Sequence, residues 1–292
     1  MKFAAILATA ALTGASAVGV ALADDPPPPP SGLVVLDQSG SAALSMVGNA
    51  EVEIPARAVY VNSSHKQAVS TTGTAILDAP FLYVVGGTRF NGQSHCTGEV
   101  IQSVAPYQDP CSGTINPSTV GMVNHGAVSV SGNVTLSPGY YSGGISMTSG
   151  SATLNPGVYV IGGSGFKVNG GTLRGDGVCI IIQSGAFDLG GNGAVQLSPQ
   201  YTGNYANMVI FQPGSNTTEM NLRGGSDLNI AGTIYAPNAT LRMVGNSVAE
   251  GQGPQMGDIV VAKRVDMRGT SLIKIGRPGS PAIQLPPMAV YD

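Results

Sequence analysis

Along nearly the whole chain the hydrophobic and polar positions fall into one recurring phrase: apolar, any, apolar, any, Gly, then a small residue or Asn. It reads Leu44-Ser-Met-Val-Gly-Asn49, Val128-Ser-Val-Ser-Gly-Asn133, Phe166-Lys-Val-Asn-Gly-Gly171, Phe187-Asp-Leu-Gly-Gly-Asn192, Met220-Asn-Leu-Arg-Gly-Gly225, Leu241-Arg-Met-Val-Gly-Asn246 and Val265-Asp-Met-Arg-Gly-Thr270. Alternation at period 2 predicts a strand with one face inward, so Phe166 and Val168 should be buried and Lys167 exposed. The following Gly or Asn suits a corner, where the chain must take positive φ. Short runs such as Val134-Thr-Leu136 follow, then a Pro-Gly corner, then an apolar run such as Val158-Tyr-Val-Ile161 or Val178-Cys-Ile-Ile-Ile182. Copies begin mostly roughly 17 to 24 residues apart, a period at which each unit must stack on a neighbour to bury its core. These features predict an all-β fold, a single-stranded right-handed parallel β-helix (solenoid) of about 20 residues per coil. A leucine-rich repeat of similar period needs a helix or an Asn ladder, and no segment shows helical periodicity.

Composition narrows the class. With 42 Gly, 20 Pro, no Trp and 10% charged residues in 292, the chain is turn-rich, and 42% hydrophobic residues suffice for a buried core. Net charge is −3 and no basic stripe with interleaved aromatics occurs, so nucleic acid and anionic lipid surfaces are not expected partners.

The organisation expected is a signal peptide over 1–23, with Lys2, an apolar stretch and an Ala21-Leu-Ala23 cleavage site, then a Pro-rich linker over 24–32. Residues 33–285 form the solenoid, interrupted by one irregular loop insertion over 86–126, and 286–292 form a tail. No membrane span is expected after cleavage, and the localisation implied is secreted or cell envelope. In such an oxidising compartment Cys96 and Cys111 are expected to form a disulfide worth on the order of 3 kcal/mol, while Cys179 is a buried strand thiol. Asp24 to Ser31 and the proline-containing C-terminus are expected to shield the two terminal coils and leave a monomer.

The phrases Leu136-Ser-Pro-Gly-Tyr-Tyr141, Leu154-Asn-Pro-Gly-Val-Tyr159, Val209-Ile-Phe-Gln212 and Gly232-Thr-Ile-Tyr-Ala-Pro-Asn-Ala239 resemble the repeat-rich C-terminal region of bacterial TadE/TadG-like Flp pilus-assembly proteins. Leu36-Asp-Gln-Ser-Gly-Ser-Ala-Ala-Leu44 and Ala58-Val-Tyr-Val-Asn-Ser-Ser64 resemble the start of that region, and the likeness covers most of 33–285. It implies an envelope-associated accessory or surface role and brings no catalytic residues with it.

Candidate chemistry is sparse. Aligning the repeats places Ser45, Ser129, Ser146, Lys167, Asp188, Asn221, Arg242 and Asp266 in one outward column, with Lys167 beside Asp188 and Arg242 beside Asp266. Opposite charges on neighbouring coils suit cross-strand pairing better than a general acid, which needs a raised pKa. His95, Cys96, Glu99, Asp109, Cys111 and His125 contain a tetrahedral zinc set in principle, but their spacing matches no finger-like pattern, so no metal or other cofactor is expected. The function expected is a non-catalytic structural surface protein that displays the 86–126 loop, with Arg89, Phe90, His95, Tyr107 and Asp109 as candidate binding residues for a surface protein or polysaccharide. The alternative is a carbohydrate-binding or polysaccharide-degrading β-helix, using Tyr140, Tyr141, Tyr159, Tyr201, Tyr205 and Tyr235 to stack on sugars.

Overall fold

The computed structural model describes residues 31–55, 57–190, 193–224, 228–245, 255–269 and 272–276. The expected signal peptide, most of the Pro-rich linker and the tail lie outside the described residues. Those that are described form an all-β structure without helix, in an 18-stranded and a 10-stranded sheet. Every strand pairing in both sheets is parallel, most of them between segments about one repeat apart.

Strands at one level make a tier of three. One tier is Gly165–Val168, Thr172–Gly175 and Val178–Ile182. It pairs on one side with Gly144–Met147, Ser151–Leu154 and Gly157–Ile161. On the other side it pairs with Ala186–Leu189, Ala194–Leu197 and Met208–Phe211. Alternation sets the faces as expected: Phe166 and Val168 are buried, Lys167 is half-exposed, and the Phe166 ring stacks on Phe187 at 5.8 Å. Inward Leu, Ile, Val, Met and Phe side chains of all tiers form one continuous core.

Glycine marks the corners for a steric reason. Gly48 and Gly73 sit at φ of 102° and 96°, and a Cβ would lie 2.7 Å from the Gly269 carbonyl oxygen in the first case and 2.5 Å from that of Gly48 in the second. Any side chain there would hold two tiers apart.

The order of the tiers is not the order of the chain. The outward column runs Ser129, Ser146, Lys167, Asp188, Asn221, Arg242, Asp266, then Ser45, Ser70 and Arg89, each paired in register with the next. The stack therefore begins at residue 127, runs to 275, and continues with 31–102. One tier is shared by the two chain ends. Its first two strands are the end of Ile259–Gly269 and Leu272–Lys274, and its third is Ser31–Val35, which lies between Ile259–Gly269 and Ala58–Val61. Outside the core this seam carries the Asp37–Arg264 ion pair at 2.5 Å and the Glu53–Lys274 pair at 3.3 Å.

The segments expected to shield the ends, Asp24 to Ser31 and the proline-containing C-terminus, lie outside the described residues apart from Ser31; the first and last described strands sit inside the stack. One expectation is corrected. The break in the repeat starts later than residue 86: Thr88–Gly92, His95–Cys96 and Glu99–Gln102 are a regular tier on the neighbouring Val69–Gly73, Ile76–Asp78 and Phe81–Val84. The irregular part is 103–126.

Candidate functional site

Residues 103–126 connect the tier at one end of the stack to the tier at the other, so this segment must travel the stack's length. Ten tiers at about 4.8 Å span roughly 45 Å, within reach of a segment this long at about 3.3 Å per residue. It lies as a strap on the outer face of the third strands. Its contacts advance tier by tier: the Val104 N–H donates to the Val84 carbonyl, and the Asn62 side chain exchanges bonds of 2.9 and 2.8 Å with the Tyr107 backbone. The Tyr235 hydroxyl then donates to Asp109 Oδ2 at 2.8 Å, and that of Tyr205 to the Ile115 carbonyl at 3.1 Å. At the far end Tyr140 and the strap exchange two backbone bonds, through the Val123 carbonyl and the His125 N–H.

The strap explains why third strands in the interior of the stack have no polar face. Val178–Ile182, Met208–Phe211 and Ala58–Val61 are buried at every position. Their outer side chains, including Cys179, Ile181, Phe211, Tyr235, Val261, Val34 and Tyr60, form a second apolar layer that includes Cys111 of the strap. Tyr107 stacks on Tyr60 at 3.9 Å, and Tyr60 on Tyr83 at 5.0 Å. Burial pushes the Tyr60 and Tyr235 hydroxyls up, the latter also through its bond to Asp109, so both remain neutral donors at physiological pH. The signal was present in the sequence: Val178-Cys-Ile-Ile-Ile182 does not alternate, which marks a strand covered on both faces.

The expected binding loop does not exist as one loop. Arg89, Phe90 and His95 belong to the regular end tier, where the Arg89 Nε bonds Asn91 and Phe90 packs toward the core. Tyr107 and Asp109 are docked into the strap layer. The Cys96–Cys111 disulfide is likewise corrected. Cys96 pairs with Leu77 in the end tier, whereas Cys111 follows Asp109, which is bonded to Tyr235 five tiers away, or about 24 Å at 4.8 Å per step. A disulfide needs Cα atoms within about 7 Å, and all three cysteines are free thiols. Burial pushes the Cys111 and Cys179 thiols up, Cys111 with a further push from Asp109, which suits packing rather than nucleophilic chemistry. Among the described residues no three His, Cys, Asp or Glu side chains are grouped to hold a metal ion. His125 instead stacks on Tyr141 at 4.7 Å.

The outward charges pair as the alignment suggested, with one difference. Asp188 is in register with Lys167, but its carboxylate takes two bonds of 2.6 and 2.5 Å from Arg223. Asp266 is held by Arg268 at 2.8 Å and approached by Arg242 at 3.9 Å. Of the tyrosines considered for sugar stacking, Tyr141, Tyr159 and Tyr235 are buried, and Tyr159 donates to the Leu136 and Asn155 carbonyls. Tyr201 is exposed.

Two concavities among the described residues bear on function. A groove of about 520 Å³ crosses the second sheet, where Thr153, Arg174, Gln196 and Asn229 form an in-register column flanked by Asp176 and Ser198, which hydrogen-bond each other. A crevice of about 610 Å³ lies between the strap at 106–109 and the corners at 36–38 and 237–238.

No family model matches this chain, and neither the curated proteins nor the solved structures include a match. No helix of the described residues is long and apolar enough to cross a membrane.

Proposed function

We propose that the tiers wind as a right-handed parallel β-helix and that the protein is an exported, non-catalytic surface component, a rigid rod that presents its strap to a partner. The observation that carries this reading is the distribution of exposed apolar side chains. Three of the five large exposed ones among the described residues, Ile115, Val120 and Val123, lie on the strap's outer side, at 58%, 91% and 66% exposure. Tyr107, Asp109, Cys111 and His125 anchor the strap, and on the ladder Asp188 pairs with Arg223 and Asp266 with Arg268. A solenoid with a pinned, apolar crest suits adhesion or envelope assembly, and the resemblance of the repeat phrases to TadE/TadG-like proteins agrees with a place at the bacterial surface. Replacing Val120 and Val123 together by Asp should abolish retention of the protein at the cell surface while leaving its thermal unfolding unchanged. Unaltered retention would remove the strap from the proposal.

The groove on the second sheet favours a second reading, a carbohydrate-binding rod. Its Thr, Arg, Gln and Asn side chains repeat at the ladder spacing of about 4.8 Å, which suits an extended polar polymer. Incubation with acidic and neutral glycans, with and without calcium, separates the readings. Sustained release of reducing or unsaturated sugar would refute the non-catalytic proposal, and binding abolished by Arg174→Ala would favour this one.

A further inference from the structure

The five partly exposed members of the main core share one property: Phe90, Cys96 and Val100 belong to one end tier, and Val128 and Val134 to the other. Everywhere else the core is closed by a neighbouring tier. At the ends the strands also pair on one side only among the described residues. Thr88–Gly92, His95–Cys96 and Glu99–Gln102 have partners below and none above; Ala127–Val130 and Asn133–Leu136 have partners above and none below. An apolar partner that is not a strand would leave those ladder N–H and C=O groups without their bonds.

We propose that the two ends are complementary and that copies of this chain stack end to end, the 88–102 tier of one on the 127–141 tier of the next. Four observations point to a second copy as the occupant. The ends share one register, since both terminate the same columns: Arg89 continues the column that starts at Ser129, and Cys96 falls in line with Val134 on the second sheet. Charge permits the contact, because 127–141 contains no Asp, Glu, Lys or Arg while the opposite tier carries Arg89 and Glu99, one of each sign. The molecule already makes such a junction internally: 31–54 docks on 259–275 in register with no direct chain connection between them. Finally, the first and last described strands, Ser31–Val35 and Leu272–Lys274, lie inside the stack and not at either end.

The contact is heterologous. Each copy offers one end and accepts at the other, so association does not close and produces a filament. One copy should advance the filament by ten tiers, about 48 Å at 4.8 Å per tier. In a single copy 123–125 occupies the edge of Tyr140, the place that Glu99–Gln102 of the neighbouring copy takes when its tier stacks in register, so the junction displaces that short segment. The inference concerns the stack's ends and stands whether or not the strap binds a partner.

Sedimentation velocity and negative-stain microscopy of the full-length protein over a dilution series test it. The expected result is a concentration-dependent series of longer species and filaments with a repeat of about 48 Å. Val134→Lys and Val100→Lys, both at half-exposed positions, each block one end; either chain alone should give shorter species than wild type, limited to a single copy. Their mixture should form pairs and nothing longer, since each supplies the end that the other lacks. As a check that leaves the core untouched, the exposed pair Arg89→Cys with Ser129→Cys in one chain should yield a covalent ladder on oxidation, and neither substitution alone should. A wild type that remains single at every concentration, continued growth of Val134→Lys alone, or a mixture without pairs would each overturn the proposal. The first outcome would mean that a tail reaches an end and covers it.

Discussion

Asp37 and Arg264 are separated by 227 positions in the chain, yet the Arg264 Nε donates to Asp37 Oδ2 at the seam where the two chain ends share a tier. Asp37 Oδ1 accepts from the N–H groups of Ser39 and Gly40 at 3.0 and 2.7 Å. In a stack that followed chain order the two residues would stand near opposite ends, roughly 40 Å apart at 4.8 Å per tier. A double-mutant cycle with Asp37→Asn and Arg264→Gln therefore measures the tier order directly. Unit charges about 4 Å apart attract by about 4 kcal/mol at an effective dielectric of about 20. The Arg264 side chain is 43% exposed and Asp37 loses solvation at 7%, which reduces the net coupling to about 1–2 kcal/mol. Urea unfolding of the four proteins gives the value. Sites far apart add within about 0.5 kcal/mol, so a coupling below that would refute the shared tier. The pH dependence has a definite sign. Burial raises the Asp37 pKa, but its bonds to Ser39, Arg264 and Gly40 outweigh this, and the folded value lies below the ordinary 3.8. The stabilisation is complete above that ordinary value and disappears as pH falls through the folded one, so the wild type should lose below about pH 4 an increment that Asp37→Asn never had.

Val168→Asp buries an unpaired carboxylate in the core and should cost several kcal/mol, against little for the half-exposed Lys167→Asp, in paired thermal melts; equal losses would invert the face assignment. Gly48→Ala meets both a positive φ and the Gly269 carbonyl, and should destabilise by about 1–2 kcal/mol or more in urea titration. Tyr235→Phe removes the donor to Asp109 and should cost about 1–2 kcal/mol, with faster proteolysis inside 103–126 as its local signature. Peptide mapping under non-reducing conditions should find no Cys96–Cys111 crosslink, since the two thiols lie five tiers apart.

What the sequence determined is local and repetitive. Period-2 alternation at Phe166-Lys-Val168 set the buried and exposed faces, and the glycines at 48 and 73 set corners that no side chain fits. The column from Ser129 to Asp266 followed from aligning the repeats, because strands of one period can pair only in register once their inward residues share a core. The bonding of Asp188 to Arg223 was not legible there, since it depends on side-chain reach two positions along a neighbouring strand. Tier order was not legible either. Each tier presents nearly the same edge, so nothing local tells Leu44–Gly48 whether to begin the stack or to dock on Val265 through Gly269, and that choice rests on contacts more than 200 residues apart. The strap follows from the choice. Once 31–102 extends the stack beyond residue 275, the chain after 102 must return along its whole length to start the tier at 127, and the apolar outer faces of the third strands provide the surface on which it lies.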